Sequence, residues 1–286
     1  MNKVAKVADN SLELAVVRAR EGDRAALDYV VGSINGEIYR LAARFLWHPA
    51  DAEDAAQEIL IRVITGLSSF RGDSRFRTWV YRIACNALLS MRQQRMESRA
   101  MSFEQFGADL NQGLTDDFVA QEPGPEAAML MEEVKIGCTL AVLLCLDRDH
   151  RLAYILGEIM ELDHNEASAV LEIEPAKYRK RLSRARADIE ALMTSRCGLI
   201  NSTNHCRCRR RVRTAVATGR VDPLKLLFAS SQEQVARFPI VLREIRELEE
   251  GRRTAALYRS HPEPNAPATL TSWIRNFLVE RPEVMD

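Results

Sequence analysis

Apolar residues recur at intervals of three and four along almost the whole of this 286-residue chain, a spacing that commits it to helices. Ile38, Leu41, Ala42, Phe45 and Leu46 form one stripe; Ile59, Leu60, Val63, Ile64 and Leu67 form the next. No stretch alternates apolar and polar residues as a half-buried strand must. Pro49 cannot continue the first helix, and Asp51 is the expected N-cap of the second. Gly72 and Ser74 are expected to supply the turn and cap before a third. The length allows two compact domains or three small ones. With 47% hydrophobic and 28% charged residues, neither wholesale disorder nor a collagen-like fibre fits.

The 40 Lys and Arg residues balance 40 Asp and Glu, but the charges lie in blocks. Nine acids face one base, Arg99, across residues 97–133, where glycines and prolines are scattered; this reads as a flexible acidic linker. Thirteen bases face two acids across residues 175–220. No uncharged apolar run approaches the ~20 residues that cross a bilayer. Asp9 and Glu13 interrupt the stretch that a signal peptide keeps apolar, so a cytoplasmic location and no membrane segment are expected.

Residues 165–186 read as a helix-turn-helix. Its first helix ends at Leu171, and Pro175 opens the second. Ala167, Val170, Leu171, Ile173, Tyr178, Leu182 and Ala185 supply the apolar contacts. Lys177, Arg179, Lys180, Arg181, Arg184 and Arg186 leave the second helix basic, as a major-groove helix has to be to neutralise phosphates and read guanine. The bland alternative is a solvated basic helix.

Residues 70–95 place six arginines against one acid, with Phe70, Phe76, Trp79 and Tyr81 interleaved. Cations with flat side chains suit single-stranded or melted nucleic acid. Trp79 fits a core stripe equally well. Upstream, Asp51, Glu53, Asp54 and Glu58 open a helix with four carboxylates, either to match the helix dipole or to dock a basic partner.

These residues resemble a known family. DAEDAAQEILIRV followed by FRGDSRFRTWVYRIACNALLSMRQQR is similar to region two of the bacterial sigma-70 family, in its extracytoplasmic-function group, and the helix-turn-helix is similar to region four. The resemblance covers roughly residues 12–193 and implies an all-α fold: a region-two-like helical domain at 10–96, the flexible acidic linker at 97–128 and a region-four-like domain at 129–193. The helical, cysteine-containing C-terminal extension at 194–286 is read from its own apolar periodicity, and its tail beyond Arg213 matches no part of the family pattern. The resemblance implies a non-enzymatic sigma factor whose partners are core RNA polymerase, promoter DNA and an anti-sigma factor. Asp51, Asp54, Gln57 and Glu58 match the polymerase-binding helix. Arg75, Phe76, Arg77, Thr78, Trp79, Arg82 and Asn86 match the reader of the minus-ten element. Lys177, Tyr178, Arg179, Lys180, Arg181 and Arg184 match the reader of the minus-thirty-five element. Three positions depart from the family pattern: Glu172 stands for the turn glycine, Ser168 for a small apolar residue and Tyr178 for a small aliphatic one. A stand-alone helix-turn-helix regulator is the alternative, but it leaves the acidic helix and the aromatic-arginine stretch without a role.

Six cysteines are too sparse for a disulfide scaffold. Cys85, Cys138 and Cys145 lie singly in apolar helical patterns and read as core. Cys197, His205, Cys206 and Cys208 offer four ligands for a tetrahedral zinc ion, although adjacent ligands are unusual. A redox-sensitive thiol group and inert cysteines are the other two readings. With no phosphate loop, nucleophile motif or paired general base, no catalytic activity is expected.

Overall fold

The computed structural model describes residues 3–91, 100–115 and 124–280. Among the described residues every regular element is helical, and an isolated bridge pairs Cys197 with Cys206. The chain forms two compact units, the first from Met1–Gln94, Asp163–Tyr178 and Pro264–Asp286, the second from Arg95–Leu162 and Arg179–Glu263.

The first unit is built on α1 (Lys3–Arg20), α2 (Arg24–Leu46), α3 (Pro49–Thr65) and α4 (Phe76–Ser90). Ile34, Ile38, Leu41 and Phe45 of α2 meet Ile59 and Leu60 of α3 in its core, as the three-and-four spacing requires. The break between α2 and α3 falls where the proline places it, but the cap differs from expectation. His48 caps α3 through Nδ1, which accepts the Ala50 N–H at 3.2 Å, and Asp51 sits inside the first turn. Pro49 is preorganised for the first helical position, so the helix starts three residues earlier than an Asp51 cap would allow. Likewise Ser74 does not cap α4; the Phe76 N–H donates to Glu13 Oε1 at 2.8 Å, a cap brought in from α1.

Two later elements complete this unit. The short α8 (His164–Val170) packs on α4. The last helix, α13 (Ala268–Glu280), packs on α2 and α3 through Leu270, Ile274 and Leu278, one buried stripe at four-residue spacing. Thr269 Oγ1 donates to Glu53 Oε1 at 2.5 Å, and Arg24 donates to the Leu278 carbonyl at 2.8 Å.

The second unit is organised around α6 (Pro125–Leu144), on which α10 (Cys208–Ala217) and α11 (Gln232–Glu247) pack. The helix α12 (Glu250–Arg259) rests on α11 and on the π-helical turn Ile155–Ile159 that continues α7 (Arg148–Tyr154). Glu133, counted above with the acidic linker, is buried in α6 and accepts the N–H groups of Leu227, Phe228 and Ala229, each at 2.8 Å. Buried Lys135 pairs with Glu132 at 2.7 Å and lies 3.2 Å from the Phe238 ring centroid. Glu133 therefore holds the C-terminal extension onto α6.

The segment read as flexible linker also carries a helix, α5 (Phe103–Gln112). Ser102 and Gln105 form a capping box, Phe106 and Leu110 are buried, and Asp109 pairs with Arg211 at 2.9 Å and Arg220 at 2.6 Å. A capped, amphipathic ten-residue helix with two arginine partners has what it needs to dock. Residues 97–99 and 116–123 of that linker lie outside the described residues.

Candidate nucleic-acid and partner interface

On α3, Ala52, Ala55, Ala56, Ile59 and Leu60 face the core, which turns Asp54 and Glu58 outward and leaves Gln57 half-buried. Glu58 pairs with Arg62 one turn on. Asp51 is buried, so of the four acidic-helix candidates it is the one withdrawn from the surface. The rest form a small acidic face on a rigid helix.

On α4 the aromatic residues and the arginines separate by role. Phe76 is 0% exposed; its ring stacks on Trp79 at 5.6 Å and meets Phe70 edge-on at 5.4 Å. Phe76 is thus a core residue and cannot stack on a base. Trp79 is half-buried against this pair and against Gly66. Arg77 pairs with Glu37, which also accepts the Tyr81 hydroxyl at 3.1 Å. Burial raises the Glu37 carboxyl above its ordinary range, and the Arg77 charge pulls it back. The polar residues at the outer rim of α4 meet carboxylates from the α8 segment: Arg75 lies 3.5 Å from Glu166, Arg82 lies 3.5 Å from Glu172, and Asn86 donates to Glu172 at 3.3 Å. Thr78 is half-buried on the same helix.

The helix-turn-helix forms from α8 and α9 (Pro175–Arg196). Asp163 Oδ1 caps α8 by accepting the Asn165 and Glu166 N–H groups at 2.8 and 2.9 Å. Glu172 adopts φ +52°, so the turn has the left-handed geometry that a glycine would satisfy. Ser168 is buried and donates to the Asn165 carbonyl at 3.0 Å, which removes the cost of a hydroxyl at a packing position. Tyr178 is 0% exposed against His164 and so supports the turn without reaching solvent. Arg181 is drawn to Asp149 at 2.9 Å and Arg186 to Glu158 at 3.1 Å. Lys177, Arg179, Lys180 and Arg184 remain exposed.

Of the four sequence-expected metal ligands, Cys197, Cys206 and Cys208 are part-buried while His205 is exposed. Among the described residues no three His, Cys, Asp or Glu side chains already stand in an array that holds an ion. The expected quartet is therefore not assembled among the described residues. Sequence reasoning missed Glu166 and Glu172, the carboxylates that meet α4. They sit in a turn and a short helix far along the chain, and no local pattern marks such a pairing.

Basic residues on α4 and α9 and acidic residues on α3 lie on separate helices, the charge pattern that suits a protein of the nucleic-acid-binding class. The Sigma-70 region 2 family matches residues 31–97. RNA polymerase sigma-H factor of Pseudomonas aeruginosa is 33% identical over 178 residues, which cover 61% of this chain and 90% of that protein. The ECF RNA polymerase sigma-E factor of Escherichia coli is 30% identical over 187 residues, 62% of this chain and 92% of that one. The solved structure of CnrH in complex with the cytosolic domain of CnrY covers 64% of this chain and 97% of its own, at 23% identity and a TM-score of 0.45. The chain belongs to the sigma-70 family, in its extracytoplasmic-function group. It is a sigma factor, which binds core RNA polymerase and directs transcription initiation. Among the described residues no helix is long and apolar enough to cross a membrane.

Proposed function

We propose that the outward face of α3, with Asp54, Gln57 and Glu58, docks the polymerase, and that α4 and α9 read the two promoter elements. The observation that carries the first assignment is the orientation of α3, whose alanines and isoleucines are buried while Asp54 and Glu58 stay in solvent. Complementary charge steers such encounters and fixes register. Asp51, being buried, serves the fold of α3. The minus-ten contacts fall to Arg75, Thr78, Arg82 and Asn86, with Trp79 presenting one edge of its ring, and Arg77 acts by anchoring α4 to Glu37. The minus-thirty-five contacts fall to Lys177, Arg179, Lys180 and Arg184, which carry most of the salt-dependent affinity.

Phosphates compete with Glu166 and Glu172 for Arg75 and Arg82, so minus-ten engagement and the packing of α8 on α4 exclude each other. In this reading the protein carries out no catalysis of its own and works in the cytoplasm, and an anti-sigma factor competes for the same surfaces. Substituting Asp54 and Glu58 together by Lys is the decisive experiment. Binding to purified core polymerase is expected to fall at least tenfold, with helical content unchanged by circular dichroism. Wild-type binding by that double variant would rule the α3 surface out.

A further inference from the structure

Helix α13 lies beside the face of α3 assigned above to polymerase. Its Thr269 hydroxyl donates at 2.5 Å to Glu53 Oε1, one residue before Asp54. Gln57, one turn on from Glu53 and so on the same side of α3, is half-buried. From α2, Arg24 donates to the Leu278 carbonyl at 2.8 Å, and Asn35 Nδ2 donates to Thr271 Oγ1 at 3.3 Å. These bonds and the buried stripe hold α13 along the flank of the acidic face.

Size decides whether that position matters. A stable protein interface buries about 800 Å² on each partner, a patch roughly 30 Å across. Asp54 and Glu58 are one turn apart, only about 6 Å along the helix axis. A partner seated on them therefore extends past Glu53 onto the ground that α13, itself about 10 Å wide, occupies. The two cannot be docked together.

The attachment of α13 is narrow. Leu270, Ile274 and Leu278 are buried, flanked by Trp273 and Phe277, which are half-buried and stack on each other at 5.4 Å. The surface beneath includes a polar residue: Asn35 is 5% exposed, and its Oδ1 has no partner among the described residues. Uncovering Asn35 lets water satisfy that oxygen, so lifting α13 costs less than baring a wholly apolar groove. Residues 262–267, which lead from α12 to α13, form no regular element and include Pro262, Pro264 and Pro267. The helix can therefore leave α2 and α3 without unwinding a neighbour, as an element at the low-stability end of a fold does.

We propose that α13 is a displaceable cover on α3: docked, it lowers the affinity of the chain for core polymerase, and polymerase binding lifts it. The proposal rests on the assignment of the α3 face to polymerase and adds a regulatory contact from within the same chain. Apparent affinity scales with the fraction of molecules whose face is open, so loosening α13 raises it with no change at Asp54, Gln57 or Glu58.

The test uses the full chain and purified core polymerase. Amides of residues 270–278 are expected to exchange slowly in the free protein and about tenfold faster in the complex. Arg24→Ala combined with Thr269→Val removes two hydrogen bonds to α13 and leaves its apolar stripe intact. That variant is expected to bind polymerase about three- to tenfold more tightly. Protection of α13 that persists in the complex overturns the proposal. So does a loosened α13, seen as faster exchange in the free variant, with unchanged polymerase affinity. The variant carrying Asp54→Lys and Glu58→Lys separates this failure from failure of the underlying assignment. If it binds polymerase weakly while wild-type α13 stays protected in the complex, the α3 face stands and the cover alone is wrong. If it binds as wild type does, the α3 face falls and the cover with it.

Discussion

A single backbone angle decides how the helix-turn-helix turns. Glu172 at φ +52° carries a Cβ through the left-handed region, at a cost of about 1–2 kcal/mol for a residue other than glycine. Its carboxylate is exposed, and the 3.5 Å approach to Arg82 contributes a few tenths of a kcal/mol at most. Replacing Glu172 by Gly relieves the strain and gives back part of the gain through a freer unfolded chain. The net expectation is a stabilisation of about 0.5–1 kcal/mol, read by denaturant unfolding; a loss would show that the side chain matters more than the angle. The misfit at this position is legible in the sequence, because turn chemistry is local. The fate of the aromatics is not. Phe76 and Tyr178 have the composition of a nucleic-acid stacking surface and of a recognition helix, yet both are fully buried. Burial depends on what arrives from elsewhere in the chain, in these cases Phe70 and His164. Phe76→Ala is accordingly expected to cost about 3–5 kcal/mol of stability, more than any loss of DNA affinity could explain.

Helix existence was readable from periodicity, but how helices are held was readable only where the partner is near in sequence. The N-terminus of α4 is capped by Glu13, some sixty residues upstream. Helix α5 is fixed by Asp109, whose arginine partners lie about a hundred residues downstream. The hydrogen bond from Arg220, with the nearby Arg211, holds the Asp109 carboxyl below its ordinary value of 3.8. A carboxyl depressed by folding stabilises the native state fully above its unfolded pKa, and that contribution is lost as the pH falls through the lower, folded value. Amide exchange in α5 is therefore expected to be slow at neutral pH and to quicken on acidification below about pH 4; in Asp109→Asn it is expected to be fast throughout. The pairing of α8 with α4 is tested by Glu166→Gln combined with Glu172→Gln. Removing both carboxylates frees Arg75, Arg82 and Asn86, so affinity for a minus-ten oligonucleotide is expected to rise several-fold and its salt dependence to steepen. Unchanged binding would separate these residues from DNA recognition.

Across the whole molecule, the first unit is discontinuous: its bundle is finished by a helix that follows every residue of the second unit. Leu270, Ile274 and Leu278 bury one face of α13 on α2 and α3, so Ile274→Ala is expected to cost about 2–4 kcal/mol, seen as a shift in the unfolding midpoint of the first unit. Periodicity in residues 270–278 announced a helix with an apolar face, but only the fold says which surface receives it. This topology sets a timetable. During synthesis the stretch forming α1 to α4 leaves the ribosome before the second unit, and α13 only after it. Until it does, the groove between α2 and α3 stays uncovered, while the second unit already has every residue it needs to close. Synthesis of α13 is thus the event that completes a unit begun before the second one.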